Sequence, residues 1–405
     1  MISRRTSLAT AAAALLTGAS ATTATATAPS GRTGPRGAAG SHARLQRDVD
    51  AIRATGATGV LAEVQTADGR TTARAGRADL TAASRPVPWD AYYRLGSDTK
   101  TFTAVLLLQL VGEGRLTLTD TVERWLPGSV RSEGNDGRRI TVANLLRQTS
   151  GLNDYLAVSP DTADAFTPAG YRRSRFRCTT PEDQLKAAVA VPPLWLPNAV
   201  HPERERHFGY SNTNYVVAGL IAEQVTGHSW AQEIHDRIIG PLGLRHTHTP
   251  GTSPYVPAPT ARAYTWFPEA GRPTDTTLAA GGGADGSLIS TTHDHGVFLR
   301  ALMSGRLLGP AQLAAMKRTV AAEDWIEVPG VRYGLGIAWR PVAGRRDGIW
   351  FHGGTHLGTV SESGVTPDGA RAATSATFSL RMDDPAQDAQ DAAGRRLIDR
   401  ALTGR

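Results

Sequence analysis

The stretch YRLGSDTKTFTAVLLLQL (93–110) places a lysine, Lys100, three residues after a serine, Ser97, at the head of an apolar run. Spacing of three puts two side chains on one face of a helix, within reach of each other. A serine hydroxyl is a poor nucleophile until a neighbouring base removes its proton. The helix dipole and burial both push an ammonium toward its neutral form, which accepts a proton. Ser97 as a simple helix cap accounts for Asp98 but not for Lys100. A cation in the first turn opposes the dipole at about 0.3–1 kcal/mol, and a capping box would carry Glu or Gln there. The chain has 44 basic residues, and only Lys100, Lys186 and Lys317 are lysines. A rare residue at an unfavourable position points to chemistry.

Two further stretches carry groups suited to the same reaction. In HFGYSNTNYVVAGL (207–220), Tyr210 precedes another apolar helix and offers a phenol as a proton relay. A phenol ionises near neutrality only if cations flank it. Asn212 offers an amide to a substrate carbonyl or to the lysine. Helix capping by Ser211 or Asn212 is the bland alternative. In FHGGTHLG (351–358), Gly353 and Gly354 permit close approach of a ligand to a strand edge. His352 supplies a cation or a polar donor. The backbone N–H groups of Thr355 and Ser97 form a candidate oxyanion hole.

These groups need elements to hold them. Residues 45–55 have helical apolar spacing, and 59–78 alternate around Asp68-Gly69, a hairpin signal. Helices are expected from Ser97, over 140–152 with Thr141 as cap and Gly151 as stop, and over 211–227 ending at Gly227. Residues 153–207 read as irregular. A glycine loop at 281–283 leads to a helix, and strands joined by turns such as Pro367-Asp368-Gly369 precede a last helix near 389–402. Late, hairpin-linked strands predict an antiparallel sheet.

At 405 residues, 40% hydrophobic and 20% charged, the chain is long enough for one large domain or two. Its net charge of +7 comes from scattered arginines without interleaved aromatics, which disfavours a nucleic-acid partner. The single cysteine, Cys178, excludes an internal disulfide. Residues 1–21 read as an export signal, with Arg4 and Arg5, an apolar segment and Ala19-Ser20-Ala21; SRRTSL resembles a twin-arginine signal. The apolar segment is too short for a stable membrane span. Residues 22–42 read as a flexible leader and 43–405 as the catalytic domain. Within it a sheet part covers about 43–96 and 280–405, and a helical part about 97–279.

The three stretches, with LGSDTKTFTAVLLLQLVGEGRLTLTDTVERWLPG, ITVANLLRQTSGL, YSNTNYVVAGLIAEQVTG and LISTTHDHGVFLRALMSGRLLGPAQL, resemble the penicillin-recognising serine hydrolases. That family includes exported D-alanyl-D-alanine carboxypeptidases, class C β-lactamases and related esterases. The histidine opening the third stretch is similar to the secreted carboxypeptidase branch. The resemblance implies an α/β fold of the β-lactamase/DD-transpeptidase type, an antiparallel sheet flanked by helices plus a mainly helical subdomain. It implies Ser97 as the acylated nucleophile, with Lys100 and Tyr210 sharing the acid–base work. Asn212 would hold the substrate amide, and His352, Gly353, Gly354 and Thr355 the substrate-binding strand. In the carboxypeptidase branch an arginine soon after Gly-Leu-Gly binds the substrate's carboxylate; here Arg340 is the candidate. The implied ligands are peptidoglycan-type D-Ala-D-Ala peptides, β-lactams or esters, with no cofactor. The chain departs from the pattern at Gln148, usually histidine, in an insertion before Tyr210, and in the glycine run 281–283.

The implied activity is acyl-enzyme formation of the D-alanyl-D-alanine carboxypeptidase type. The alternatives are a class C-like β-lactamase, an esterase or D-amino-acid amidase, or a penicillin-binding module without turnover. A metal enzyme built on His246, His248, His293 and His295 lacks HExxH or a cysteine cluster. An α/β-hydrolase is excluded, since no serine has glycine at both minus two and plus two.

Overall fold

The computed structural model describes residues 35–159, 164–268, 270–323, 325–326, 328–382 and 384–404. The export signal at 1–21, and the leader up to residue 34, lie outside them. The strands are β1 (Gly59–Thr66), β2 (Gly69–Gly76), β3 (Tyr93–Arg94), β4 (Tyr264–Trp266), β5 (Thr274–Asp275), β6 (Ile289–Ser290), β7 (Val320–Ala321), β8 (Arg332–Tyr333), β9 (Ala338–Val342), β10 (Arg345–Phe351), β11 (Gly353–His356), β12 (Thr359–Val365), β13 (Ala372–Thr377) and β14 (Ser379–Arg381).

The main sheet runs β2-β1-β13-β12-β10-β9-β8-β7, with β11 pairing β12 off this path. Every pairing in it is antiparallel, as the turn-linked pattern predicts. The Asp68-Gly69 hairpin joins β1 to β2, and the Pro367-Asp368-Gly369 turn joins β12 to β13. The first and last helices, Pro35–Ala54 and Pro385–Thr403, share a core on one face of the sheet, where Leu45, Val49 and Ile52 meet Leu397, Ile398 and Leu402. On the other face the helix Thr292–Met303 packs on β13 and on the helix Thr99–Gly112. Their Phe298 and Phe102 rings stack with centroids 3.5 Å apart. Ten hydrophobic or polar residues of the Thr99–Gly112 helix besides Lys100 are buried, so this element is fixed on all sides.

Three expectations change. The first helix starts at Pro35, inside the stretch read as a leader. The expected helix at 140–152 shortens to Val142–Leu146: Thr141 caps it as foreseen, but Gln148 adopts a left-handed φ of 62° and ends the helical path before Gly151. The region read as irregular contains helices Tyr155–Val158, Pro168–Ser174 and Pro181–Val189. The last two each begin with a threonine cap, Thr167 or Thr180, followed by proline in the first turn. Proline there loses no needed hydrogen bond and presets the helical φ.

Candidate active site

Ser97 sits in a 3-10 turn, Gly96–Asp98, that feeds directly into the Thr99–Gly112 helix. No side chain caps either element, so the Ser97 hydroxyl is not spent on backbone N–H groups. Lys100 is fully buried. Its Nζ lies 3.0 Å from Ser97 Oγ, 2.6 Å from Asn212 Oδ1 and 2.6 Å from the carbonyl oxygen of Asp285. Burial lowers the Lys100 pKa to about 8, with Asp285, Asp154 and Asp98 pulling the other way. A larger share of molecules than for a free lysine therefore holds a neutral amine at pH 7. The amide and peptide oxygens can only accept hydrogen bonds. A neutral amine must then give its two hydrogens to them and turn its lone pair to the Ser97 hydroxyl. That is the arrangement of a general base on a nucleophile.

Tyr210 precedes the helix Thr213–Thr226, which ends at left-handed Gly227. Burial pushes the pKa of its phenol well up, and the nearby Ser97 side chain works against that rise. Its ring lies 5.2 Å below Lys100 Nζ and stacks on Trp325 at 5.3 Å. A protonated phenol here can pass a proton onward but is not a resting phenolate. Asn212 bridges Lys100 to Asp154, donating from Nδ2 to Asp154 Oδ2 at 2.8 Å. Gln148 holds the whole turn: its Oε1 accepts from Ser211 N at 3.0 Å and also from the Asn214 amide.

The third stretch forms β11 against the serine turn. A Cβ at Gly354 would stand 1.8 Å from Leu95 O and 3.1 Å from Ser97 N, so only glycine lets the strand approach this closely. A Cβ at Gly96, whose φ is +55°, would meet Thr355 N at 2.8 Å. Thr355 and Ser97 thus bring their backbones side by side. His352 is buried behind the strand and does not line the cleft. Burial lowers its pKa to about 4, so of the two roles expected, cation or polar donor, the cation is removed. Its Nδ1 lies 2.6 Å from Gly353 O and its Nε2 3.0 Å from Tyr333 OH. A neutral ring donating from Nδ1 and accepting at Nε2 satisfies both contacts. Asp98 ties the serine turn to β12 by accepting from Ser361 Oγ at 2.7 Å and Ser363 Oγ at 2.8 Å.

These groups open onto a cleft of about 970 Å³ between the β11–β12 edge and the helices Tyr155–Val158 and Pro181–Val189. Ser97, Tyr210, Asn212, Gly353, Gly354 and Thr355 all line it. Arg340 does not. It lies on β9, where its Nη1 pairs with Asp399 Oδ1 at 2.6 Å on the last helix and its guanidinium covers Phe351. The β alternation of period two turned it to the helix-covered side of the sheet. Sequence reading missed Trp325, Tyr155 and Asp285, which also line the cleft. The one local signal was the position of Asp285 just after the glycine run 281–283. The histidines considered as metal ligands have other partners: His293 faces Glu63 at 2.9 Å, His295 faces Asp98 at 3.5 Å, and His246 faces the Tyr92 hydroxyl at 2.6 Å. Among the described residues, no helix is long and apolar enough to cross a membrane.

Comparison with known proteins gives the same picture. A family model described as Beta-lactamase matches residues 45–398. A D-stereospecific amidohydrolase from Streptomyces sp. is 36% identical, with 90% of this chain and 99% of that chain covered and a TM-score of 0.78. The D-amino acid amidase of Ochrobactrum anthropi SV3 is 24% identical over 88% of this chain and 97% of its own, with a TM-score of 0.73, and shares the fold. Among curated sequences, Protein flp of Staphylococcus aureus (strain MW2) is 32% identical over 155 residues, 38% of this chain. Penicillin-binding protein 4 of Amycolatopsis lactamdurans is 30% identical over 163 residues, 40% of this chain. The matches span 27% and 37% of the lengths of these two relatives.

Proposed function

The chain belongs to the β-lactamase family of serine hydrolases, and from that premise we propose that it is an acyl-enzyme-forming amidohydrolase acting on amides of D-amino acids or short D-peptides. The observation that carries this reading is the placement of Lys100 Nζ 3.0 Å from Ser97 Oγ, with its two hydrogens claimed by carbonyl oxygens. Ser97 gives its proton to Lys100 as Oγ attacks the substrate carbonyl carbon. The oxyanion is received by the N–H groups of Ser97 and Thr355. The C–N bond then breaks, and the proton returns to the leaving amine from Lys100, with the Tyr210 phenol relaying. Water hydrolyses the resulting ester with Lys100 again as base. The D-amino-acid preference is supported by the amidohydrolase from Streptomyces sp., covered almost end to end.

A second reading, D-alanyl-D-alanine carboxypeptidase action, needs a cation for the substrate's carboxylate. Arg340 is committed to Asp399, which leaves a cleft guanidinium such as Arg175 for that task. β-Lactam acylation follows from the same nucleophile. Export is part of the reading, supported by the sequence of residues 1–21, and amino-terminal analysis of protein from a culture supernatant tests it. Hydrolysis rates for D- and L-phenylalanine amide, a D-Ala-D-Ala peptide and a cephalosporin, compared with Ser97→Ala, decide among the substrates. Faster release from the D-Ala-D-Ala peptide than from D-phenylalanine amide would reject the first reading in favour of the second.

A further inference from the structure

The two N–H groups that would receive the oxyanion belong to different segments, Ser97 to the Gly96–Asp98 turn and Thr355 to β11. Gly96 and Gly354 let the two backbones touch. Yet among the described residues no backbone hydrogen bond joins that turn to β11 or to β12. The residues flanking the turn bond elsewhere: Leu95 N donates to Leu288 O, and Lys100 to Asn212 and to the Asp285 carbonyl oxygen. Apolar packing brings segments together but has no direction. A hydrogen bond constrains both distance and angle.

Among the described residues, the side-chain hydrogen bonds that cross this seam all run through Asp98. It is 1% exposed and does not line the cleft. Its Oδ2 accepts from Ser361 Oγ at 2.7 Å and its Oδ1 from Ser363 Oγ at 2.8 Å. Both serines lie on β12, two residues apart and so on one face of the sheet. Ser361 is the register partner of Gly354, the residue before Thr355. Ser363 Oγ also lies 2.8 Å from the carbonyl oxygen of His352, just ahead of β11. His295 Nε2 stands 3.5 Å from Asp98 Oδ1, and burial lowers the pKa of its ring. An acid buried here is costly where an apolar residue could fill the same space. It supplies what packing does not, a directional tie from the nucleophile's turn to the strand pair that carries the second oxyanion donor.

We propose that Asp98 is a positioning residue for the oxyanion hole, holding the Ser97 and Thr355 N–H groups through Ser361 at the separation that one oxygen atom requires. This rests on the acyl-enzyme reading above and names a residue outside the cleft on which that chemistry depends. The oxyanion exists only in the transition state and the tetrahedral intermediate. A loosened hole therefore raises the barrier more than it weakens substrate binding.

The test uses p-nitrophenyl acetate as substrate and phenylboronic acid as a mimic of the intermediate. Ser97 Oγ bonds to boron, its proton passes to Lys100, and the adduct is a tetrahedral anion. Asp98→Asn keeps the size but loses one acceptor oxygen, while Ser361→Ala removes one donor and leaves Ser363 on Asp98. Asp98 is also one of three acids that help Lys100 keep its proton, so all proteins are compared at about pH 9, above the Lys100 pKa of about 8. In Asp98→Asn, kcat should fall roughly tenfold to a hundredfold with KM within about threefold, and phenylboronic acid should bind more weakly by a similar factor. Ser361→Ala should lose about threefold to tenfold in both readouts. A purely structural role would lower the urea midpoint and leave the kcat and boronic-acid affinity of the folded protein unchanged. Unchanged affinity in Ser361→Ala overturns the inference, and decides the matter even if Asp98→Asn does not fold. An intact enzyme that neither hydrolyses the ester nor binds the boronic acid at Ser97 would overturn the acyl-enzyme reading, and this inference with it.

Discussion

Asn212 Oδ1 lies 2.6 Å from Lys100 Nζ, nearer than the Ser97 hydroxyl at 3.0 Å. The amide is anchored from behind, since its Nδ2 donates to Asp154, so its oxygen must face the lysine. Asn212 therefore determines which way the lone pair of a neutral Lys100 points. Asn212→Ala should free the amine to rotate and lower kcat by roughly tenfold to a hundredfold, with a smaller effect on KM, through lost orientation. Steady-state kinetics on an ester and an amide check this.

The pH dependence follows from the direction of the Lys100 shift. Its pKa is lowered to about 8, and the base works only when deprotonated. kcat/KM for an uncharged ester should rise with pH and level off above about 8. A rate already at its plateau at pH 6 would show that another group limits catalysis. Lys100→Arg should lose roughly 10²–10⁴ in kcat because guanidinium does not give up its proton.

Gly354→Ala places a methyl group 1.8 Å from Leu95 O. The strand must move off the serine turn, carrying the Thr355 N–H with it. A displacement of this kind costs on the order of a hundredfold in kcat. Acyl-enzyme formation followed by mass spectrometry should slow, while urea unfolding shows a loss of about 1–3 kcal/mol from overpacking.

Arg340→Ala should act on stability and leave the choice of substrate intact. Its partner Asp399 is one-third exposed and the guanidinium side chain 5% exposed. A loss of about 1–3 kcal/mol lies between exposed and buried ion pairs. The ratio of rates for carboxylate-bearing and neutral substrates should equal that of the parent protein. A selective loss on carboxylate substrates would return Arg340 to the cleft.

Acid should weaken the packing behind β11. Burial lowers the pKa of His352 to about 4, against 6.5 for a free histidine. Between those limits the unfolded chain binds the proton and the folded one does not, so the contribution of this ring falls as pH drops from about 6.5 toward 4. Glu362, whose pKa burial raises to about 8, takes up its proton in the folded state and acts in the opposite direction. The difference in urea midpoint between pH 7 and pH 4.5 should therefore shift toward greater acid stability in His352→Gln, and an identical difference would contradict it.

Much of this was legible in the chain because the governing relations are local. Ser97 and Lys100 are one helical turn apart, so their meeting depends on helix geometry alone. The Thr141 cap, the Gly227 stop and the two hairpin turns are likewise decided within a few residues. The threonine–proline starts at 167 and 180 were equally local, and were overlooked within an otherwise irregular stretch.

Other features depend on what folding brings next to a residue. His352 read as a cation or a polar donor, and burial behind β11 leaves it neutral. Arg340 had the right distance from Gly-Leu-Gly, but strand alternation and Asp399 on the last helix decided its direction. Asp285 and Trp325 meet Ser97 and Tyr210 only through contacts across more than a hundred residues. Side-chain spacing along one helix is written in the sequence. Solvation, partner choice and the facing of a strand are written only in the packed structure, because each is a property of the neighbours that packing supplies.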